Sequence, residues 1–282
     1  MKKFAFSLLD AAFINNLNDM DEPITIVVTS EKGGVGKSHI ASSINNALNN
    51  SGVKSRLIDC DVQGTSYAQF KKREATIAAE IESEILKLNG NFKKKAQAKI
   101  EDLESLAHYE VVRHPMNSNF NSLFKVAKND GYKVIIIDTP CHLTPEHADL
   151  INACDIALFP FNNSDDDFNS NKRVNKFIEN IKESNSRFNT HVFSVITDQA
   201  NVSEKRNQEI TEEWKDFTNS HPLLKNRLVN RQICRDVKRH GMGVCEVTGK
   251  YAQAATSDVM AVFKEVVEKA FSVDKTEENQ AA

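Results

Sequence analysis

One seven-residue stretch of this chain combines residue types that bind phosphate groups. It is Lys32-Gly33-Gly34-Val35-Gly36-Lys37-Ser38, between an apolar run, Ile24–Val28, and a helix-like run, His39–Leu48. Glycines let backbone N–H groups turn toward an anion, and the start of a helix adds a partial positive charge at the same point. In such a loop Lys37 would reach the β- and γ-phosphates, and the Ser38 hydroxyl would ligate Mg²⁺. The sequence therefore predicts a nucleoside triphosphate site.

Acidic residues at the ends of two further strand-like runs could complete this site. Asp59 and Asp61 lie at the end of one run, and Asp138 directly follows the β-branched run Val134–Ile137. The second arrangement is that of a Walker B motif, in which the carboxylate binds Mg²⁺ directly or through a water. Each run alone is weakly specific, because acidic residues are common at strand ends. Their order behind the glycine-rich loop is what favours the interpretation.

The rest of the chain alternates strand-like and helix-like segments, which predicts an α/β fold with a mostly parallel central sheet between layers of helices. The predicted strands are Ile24–Thr29, Ser55–Asp59, Tyr109–Arg113, Val134–Asp138, Ile156–Pro160, Thr190–Thr197 and, more weakly, Arg227–Asn230. The predicted helices are His39–Asn50, Asn119–Asn129, Pro145–Ala153, Phe168–Glu183, Ser203–Asn219 and Ala254–Phe271. Ligands of such sheets bind beyond the carboxyl ends of the strands, so Gly36, Asp61 and Asp138 can converge.

The loop departs from the general P-loop template, and the departure resembles a known family. Glu31 stands where the template has its first glycine, and Lys32 is an additional lysine. This form is similar to the deviant Walker A motif of the ParA/MinD ATPases, closest to the ParA-type partition ATPases. The resemblance extends over residues 24–271 and is most specific in the first 140. It implies a three-layer P-loop NTPase fold.

The resemblance also implies roles for individual residues. Nucleotide contacts fall on Lys32, Gly33, Gly34, Val35, Gly36, Lys37, Ser38 and His39. Ser38 and Asp138 would hold Mg²⁺, and Asp61, supported by Asp59, would position the attacking water. Lys32 would reach the nucleotide of a partner subunit in an ATP-bound homodimer. Two departures bear on nucleotide handling: His39 replaces a hydroxyl residue that touches the α-phosphate, and Val62 replaces a proline.

ATP is expected rather than GTP. GTPases commonly read guanine with an Asn-Lys-x-Asp element, and the two Asn-Lys pairs of this chain, at Asn171 and Asn175, both lack the aspartate.

Composition and spacing set the domain organisation. We expect an N-terminal extension over 1–22, a ParA-like ATPase domain over 23–272, and a disordered polar tail over 273–282. Residues 69–108 carry two amphipathic faces around the turn Asn89-Gly90-Asn91, which predicts a helical insertion. The extension has partly helical apolar spacing and could be an extra packed helix or a peptide that contacts a partner or membrane.

The chain has 282 residues, a net charge of −3 and five cysteines without a CxxC pair, which favours a cytoplasmic protein with reduced thiols. No apolar run reaches the roughly 18 residues of a membrane span, and no membrane partner is expected. A local basic cluster nevertheless predicts nonspecific DNA binding, which would place the protein on the nucleoid. It comprises Arg227, Arg231, Arg235, Lys238 and Arg239, with all but Arg227 spaced for one helix face.

Together these features predict a slow, Mg²⁺-dependent ATPase that acts as a switch in plasmid or chromosome partition or in cargo positioning. A ParB-like protein or a cargo adaptor would activate it. Two alternatives remain open at this point. One is a conjugative DNA-transfer accessory ATPase of the same fold. The other is a relative of the nitrogenase iron protein, for which Cys141 lacks a suitable second cysteine to hold a cluster.

Overall fold

A seven-stranded parallel sheet forms the centre of the computed structural model, which describes residues 11–88, 93–162, 165–199, 203–214 and 220–271. The strands are β1 Ile24–Ser30, β2 Ser55–Asp59, β3 Val111–Arg113, β4 Val134–Cys141, β5 Ile156–Phe161, β6 His191–Gln199 and β7 Leu228–Asn230. Their order is β3-β2-β4-β1-β5-β6-β7, and every neighbouring pair is parallel. The predicted α/β fold with a parallel sheet is therefore confirmed.

Helices cover both faces of this sheet. They are α1 Ala11–Asp19, α2 Lys37–Asn50, α3 Thr65–Ile85, α4 Lys93–Glu104, α5 Phe120–Asn129, α6 Pro145–Ala153, α7 Asp165–Ser184, α8 Glu204–Glu213, α9 Gln232–Lys238 and α10 Lys250–Phe271. None of these described helices is long and apolar enough to cross a membrane. The predicted turn at 89–91 and tail at 273–282 lie outside the described residues, as does the end of the helix predicted over 203–219.

Alternating side chains of the central strands pack into two separate hydrophobic cores, one on each face of the sheet. Ile136 on β4 faces the core formed with α2 and α10, whereas its neighbours Ile135 and Ile137 face the core formed with α5, α6 and α7. Because a strand segment buried on both faces is favoured by apolar residues at every position, the first four residues of β4, Val134–Ile137, are an uninterrupted β-branched run. This burial fixes the register that brings Asp138 opposite Asp59 on β2.

The regions outside the central α/β pattern are anchored to it. In α1, Leu17 is buried and the ring of Phe13 packs edge-on against Phe263 of α10, with 6.2 Å between ring centroids. The insertion region holds α3, which begins at Thr65 rather than near Gln69, and α4, which packs against it. Residues 11–19 therefore form a packed helix on the core, while nothing in the described part of the chain bears on residues 1–10.

Candidate nucleotide-binding site

The glycine-rich loop joins the carboxyl end of β1 to the first turn of α2. Gly34 and Gly36 have φ angles of +79° and +98°, a region that side chains other than glycine rarely adopt. Gly36 directly precedes α2, which begins at Lys37. The loop therefore presents backbone N–H groups and a helix N-terminus at one point, the arrangement that binds phosphate.

Lys37 lies under this loop. Its side chain is buried, and Nζ donates a hydrogen bond to Ser30 Oγ at 3.1 Å; that hydroxyl in turn donates to the carbonyl of Lys32 at 2.7 Å. Burial lowers the pKa of Lys37, while the neighbouring Cys141, Asp138 and Asp61 oppose the shift. An anion beside Nζ would favour the charged form of this amine, which suits a phosphate ligand.

Asp138 is the most deeply buried acidic group of the site. Its Oδ2 accepts a hydrogen bond from Ser66 Oγ at 2.7 Å, whereas its Oδ1 is buried and has no hydrogen-bond partner among the described residues. Burial raises the pKa of Asp138 to about 6, and the nearby hydroxyls of Ser66 and Ser38 oppose that rise. A buried carboxylate oxygen without a partner is costly. It fits a Mg²⁺ ion, which prefers oxygen ligands and takes few from the protein when phosphates supply the others.

The two acidic residues after β2 have different surroundings. Asp59 is buried, and its carboxylate accepts the backbone N–H groups of Asp61 at 3.1 Å and Tyr67 at 2.8 Å. Burial raises the pKa of Asp59, and these two hydrogen bonds oppose that rise. Asp61 is half-buried, and its Oδ1 accepts the N–H of Gln63 at 2.9 Å. Asp59 therefore holds the loop, and Asp61 Oδ2 accepts no hydrogen bond from the residues that the structure describes.

His39 is the third residue of α2 and lies against α9. Its Nδ1 is 3.4 Å from Ser43 Oγ, and burial lowers its pKa to about 4, with the positive charge of Lys238 adding to the shift. Burial therefore favours the neutral imidazole in the nucleotide-free protein. That form can still offer a hydrogen bond to a phosphate.

These features lie within a region that matches a known family. The sequence profile of the family ATPase MipZ matches residues 24–227, which is most of the chain and includes the loop, Asp61 and Asp138. The chain belongs to this family of ParA/MinD-type ATPases. No curated protein sequence matches it.

Solved structures of similar fold include McdA and MinD proteins. An ATP complex of McdA from Cyanothece has a TM-score of 0.59 at 15% identity, covering 90% of this chain and 98% of that one. The MinC:MinD cell division complex of Aquifex aeolicus gives 0.52 at 17% identity, covering 86% and 96%. Mg-ADP-bound MinD from Pyrococcus horikoshii gives 0.51 at 14% identity, covering 88% and 98%. At these identities the likeness shows the fold alone.

Three residues of this MipZ-family chain support the site without having been assigned a role from the sequence. Ser66, at the start of α3, supplies the hydroxyl donated to Asp138. Arg113, at the end of β3, donates Nη2 to the carbonyls of Asp61 at 3.3 Å and Val62 at 2.9 Å. Both lie far from the glycine-rich loop in sequence, so only the sheet order brings them together.

The third residue is Glu31, which stands in place of the template glycine. Its Oε2 accepts the N–H of Leu143 at 3.1 Å, and its Oε1 lies 3.0 Å from Nε of Arg173 on α7. One carboxylate oxygen thus ties the loop to the segment after β4, and the other ties it to α7. A carboxylate at this position is compatible with a phosphate site because its charge is directed to these partners.

Only some of the basic residues that were predicted to bind DNA have exposed side chains. Arg231 precedes α9 instead of lying within it, and its Nε and Nη2 both lie 2.9 Å from Asp258 Oδ2. Arg235, Lys238 and Arg239 are exposed, although Arg239 Nη1 lies 3.9 Å from Asp236. The exposed cationic face of this MipZ-family chain is therefore narrower than its sequence spacing indicates.

Proposed function

We propose that this chain is a Mg²⁺-dependent ATPase that dimerises around ATP and acts as a switch in partition or positioning. The single observation that carries the proposal is the buried Asp138 carboxylate near Lys37 and Ser38, whose Oδ1 has no hydrogen-bond partner in the described part of the chain. A structural aspartate would have its oxygens satisfied by protein donors, as Asp59 does. The family membership supports ATP as the nucleotide.

In this proposal each residue of the site has one task. The loop N–H groups and Lys37 hold the β- and γ-phosphates, and Ser38 and Asp138 hold Mg²⁺. The bound ion would neutralise charge on the phosphates. Asp61 orients the attacking water through the carboxylate oxygen that the protein leaves available. Lys32 of the opposite subunit stabilises the charge that develops on the transferring phosphoryl group.

The relatives of similar fold support a partner-controlled switch. One was solved with ATP, one with Mg-ADP and one with a second protein, MinC. By analogy, ATP binding and hydrolysis would alternate this chain between two states. A ParB-like protein or cargo adaptor would accelerate the hydrolysis step.

The deciding experiment separates nucleotide binding from dimerisation. We expect the wild-type protein to bind a fluorescent ATP analogue and to form dimers with ATP and Mg²⁺ in size-exclusion chromatography with light scattering. Lys32→Ala should retain the analogue and remain monomeric, whereas Lys37→Ala should lose nucleotide altogether. A wild-type protein that binds no ATP, or Lys32→Ala dimers of normal stability, would refute the proposal.

Nonspecific DNA binding is a separate part of the proposal and depends on the exposed residues Arg235, Lys238 and Arg239. Phosphate contacts from such a row bind DNA without reading bases, and would place the protein on the nucleoid. The variant Arg235→Glu/Lys238→Glu should lose retention on duplex DNA in a gel-shift assay while keeping ATP turnover. A control with the same charge change, Lys125→Glu/Arg187→Glu, should retain DNA. Equal retention of DNA by the wild type and both double variants would refute the proposed DNA binding.

A further inference from the structure

A groove of about 540 Å³ lies between the α3–α4 pair and the α9 region, away from the phosphate loop. Its floor is apolar: Leu106, Val237 and Met242 belong to a small core shared by the two regions. Ile77, Leu103 and Val247 are only partly buried and pack against that core from the groove walls. Partly covered apolar side chains around a concave surface are typical of a site that receives another apolar segment.

The rim of the groove carries more negative than positive charge. Glu80, Asp102 and Asp236 contribute three carboxylates, and Lys99 and His240 are the basic residues of the lining. Asp236 also lies 3.9 Å from Nη1 of the exposed Arg239, so Asp102 and Glu80 carry most of the negative charge. Lys99 lies 3.3 Å from Glu80 and 3.2 Å from Glu84, so its charge is already shared between two acids. Asp102 is exposed and has no ion-pair partner among the described residues. The electrostatic complement of this rim is a cationic segment.

From this combination we propose that the groove binds a basic amphipathic helix of a partner protein. Apolar side chains on one face of that helix would enter between Ile77, Leu103 and Val247, and its lysines or arginines would meet the acidic rim. The inference rests on the proposed function, in which a partner protein activates the ATPase.

The groove also borders the nucleotide site through α9. Asp236 and Val237 line the groove, whereas the adjacent Lys238 lies near His39 in the first turn of the phosphate-binding helix α2. A segment that docks on one side of α9 would therefore contact an element that lines a small cavity together with α2. This placement suits a partner that acts on the nucleotide state.

The test uses the full-length protein and a fluorescent synthetic peptide of roughly 14 residues, or four helical turns, with leucines on one face and lysines elsewhere. A second peptide replaces each lysine by glutamate. Fluorescence anisotropy should show binding of the lysine peptide and little binding of the glutamate peptide. Asp102→Lys should weaken the lysine peptide by about tenfold. Glu101→Lys makes the same charge change at the neighbouring exposed position of α4, which does not line the groove, and should bind like the wild type.

Three results would overturn the inference: no binding of the lysine peptide, equal binding of both peptides, or equal losses in Asp102→Lys and Glu101→Lys. A nucleotide-free dimer that Asp102→Lys alone dissociates would show instead that a second copy fills the groove. Binding of the fluorescent ATP analogue is measured in every variant. If nucleotide binding is normal but one of these three peptide results is found, only the docking site is refuted. If the wild type binds no nucleotide, the proposed function is refuted.

Discussion

Replacing Asp138 by asparagine should abolish the metal-dependent reaction and yet make the nucleotide-free protein more stable. Burial raises the pKa of this carboxyl from its ordinary value of 3.8 to about 6. Between these two values the unfolded chain has released the proton and the folded chain has kept it. Folding stability therefore falls as the pH rises from about 3.8 to about 6, and stays reduced above that. An asparagine does not ionise, so the variant does not lose folding stability in this way as the pH rises.

The size of the effect follows from the difference between the two pKa values. A pKa that is about two higher in the folded state lowers the free energy of unfolding by about 3 kcal/mol at pH 8. At pH 5 the same relation gives a loss of roughly half that size. The asparagine carbonyl can still accept the Ser66 hydroxyl, so the substitution leaves that buried donor paired. Urea unfolding without Mg²⁺ or nucleotide should therefore show a gain for Asp138→Asn that is larger at pH 8 than at pH 5.

Ser66→Ala provides the control with the opposite sign. It removes the hydroxyl that donates to Oδ2 and leaves the charged Asp138 with less solvation. It should lower stability at pH 8 and do so less at pH 5, where part of the carboxyl is protonated. A gain for Asp138→Asn that is equal at the two pH values, or no gain at pH 8, would refute the claim that a buried charge is the cause.

Two further predictions concern the core that positions the site. Arg73→Met should cost about 3–5 kcal/mol in urea unfolding, because it leaves the fully buried Glu246 carboxylate without the guanidinium that donates Nε at 2.6 Å. Arg73→Met/Glu246→Leu should recover most of that loss, and a double variant no more stable than the single one would contradict the pairing. His221 is buried with a pKa lowered to about 4, so its stabilising contribution is complete above pH 6.5 and is lost as the pH falls toward 4. His221→Asn should therefore reduce the drop in stability between pH 7 and pH 4.5 by about 2.5 kcal/mol, and an unchanged drop would show that the imidazole takes up its proton equally in the folded and unfolded states.

The parts of the fold set by local patterning were predictable from the sequence. The β-branched run before Asp138 specifies a strand buried on both faces, and the glycine-rich loop specifies the start of α2. Because parallel strands end at one edge of a sheet, the meeting of this loop with Asp138 was predictable as well. The boundaries of the elements were harder to predict. Helix α3 begins four residues before the expected insertion, and β4 continues past Asp138 to Cys141.

Contacts between elements distant in sequence could not be predicted. Arg231, spaced for a DNA-binding row, pairs with Asp258 on α10, 27 residues away. Periodicity places residues on a helix face, but it does not say which neighbouring helix carries an opposite charge. The roles of Arg113 and Ser66 could not be predicted for the same reason. An arginine at the end of a strand and a serine at the start of a helix are common and indicate no particular contact.

The groups that the protein leaves poorly satisfied are the ones that its proposed ligand would satisfy. Burial disfavours the charged form of both Lys37 and Asp138, and hydroxyl groups give each of them only partial compensation: Ser30 for the lysine, and Ser66 with the nearby Ser38 for the carboxylate. A salt bridge between the two would have relieved the cost within the protein, yet none joins them in the described residues. A magnesium–triphosphate complex brings an anion for the lysine and a cation for the carboxylate. Its binding would thus relieve two unfavourable burials together, so Mg-ATP should stabilise the wild type more than Asp138→Asn.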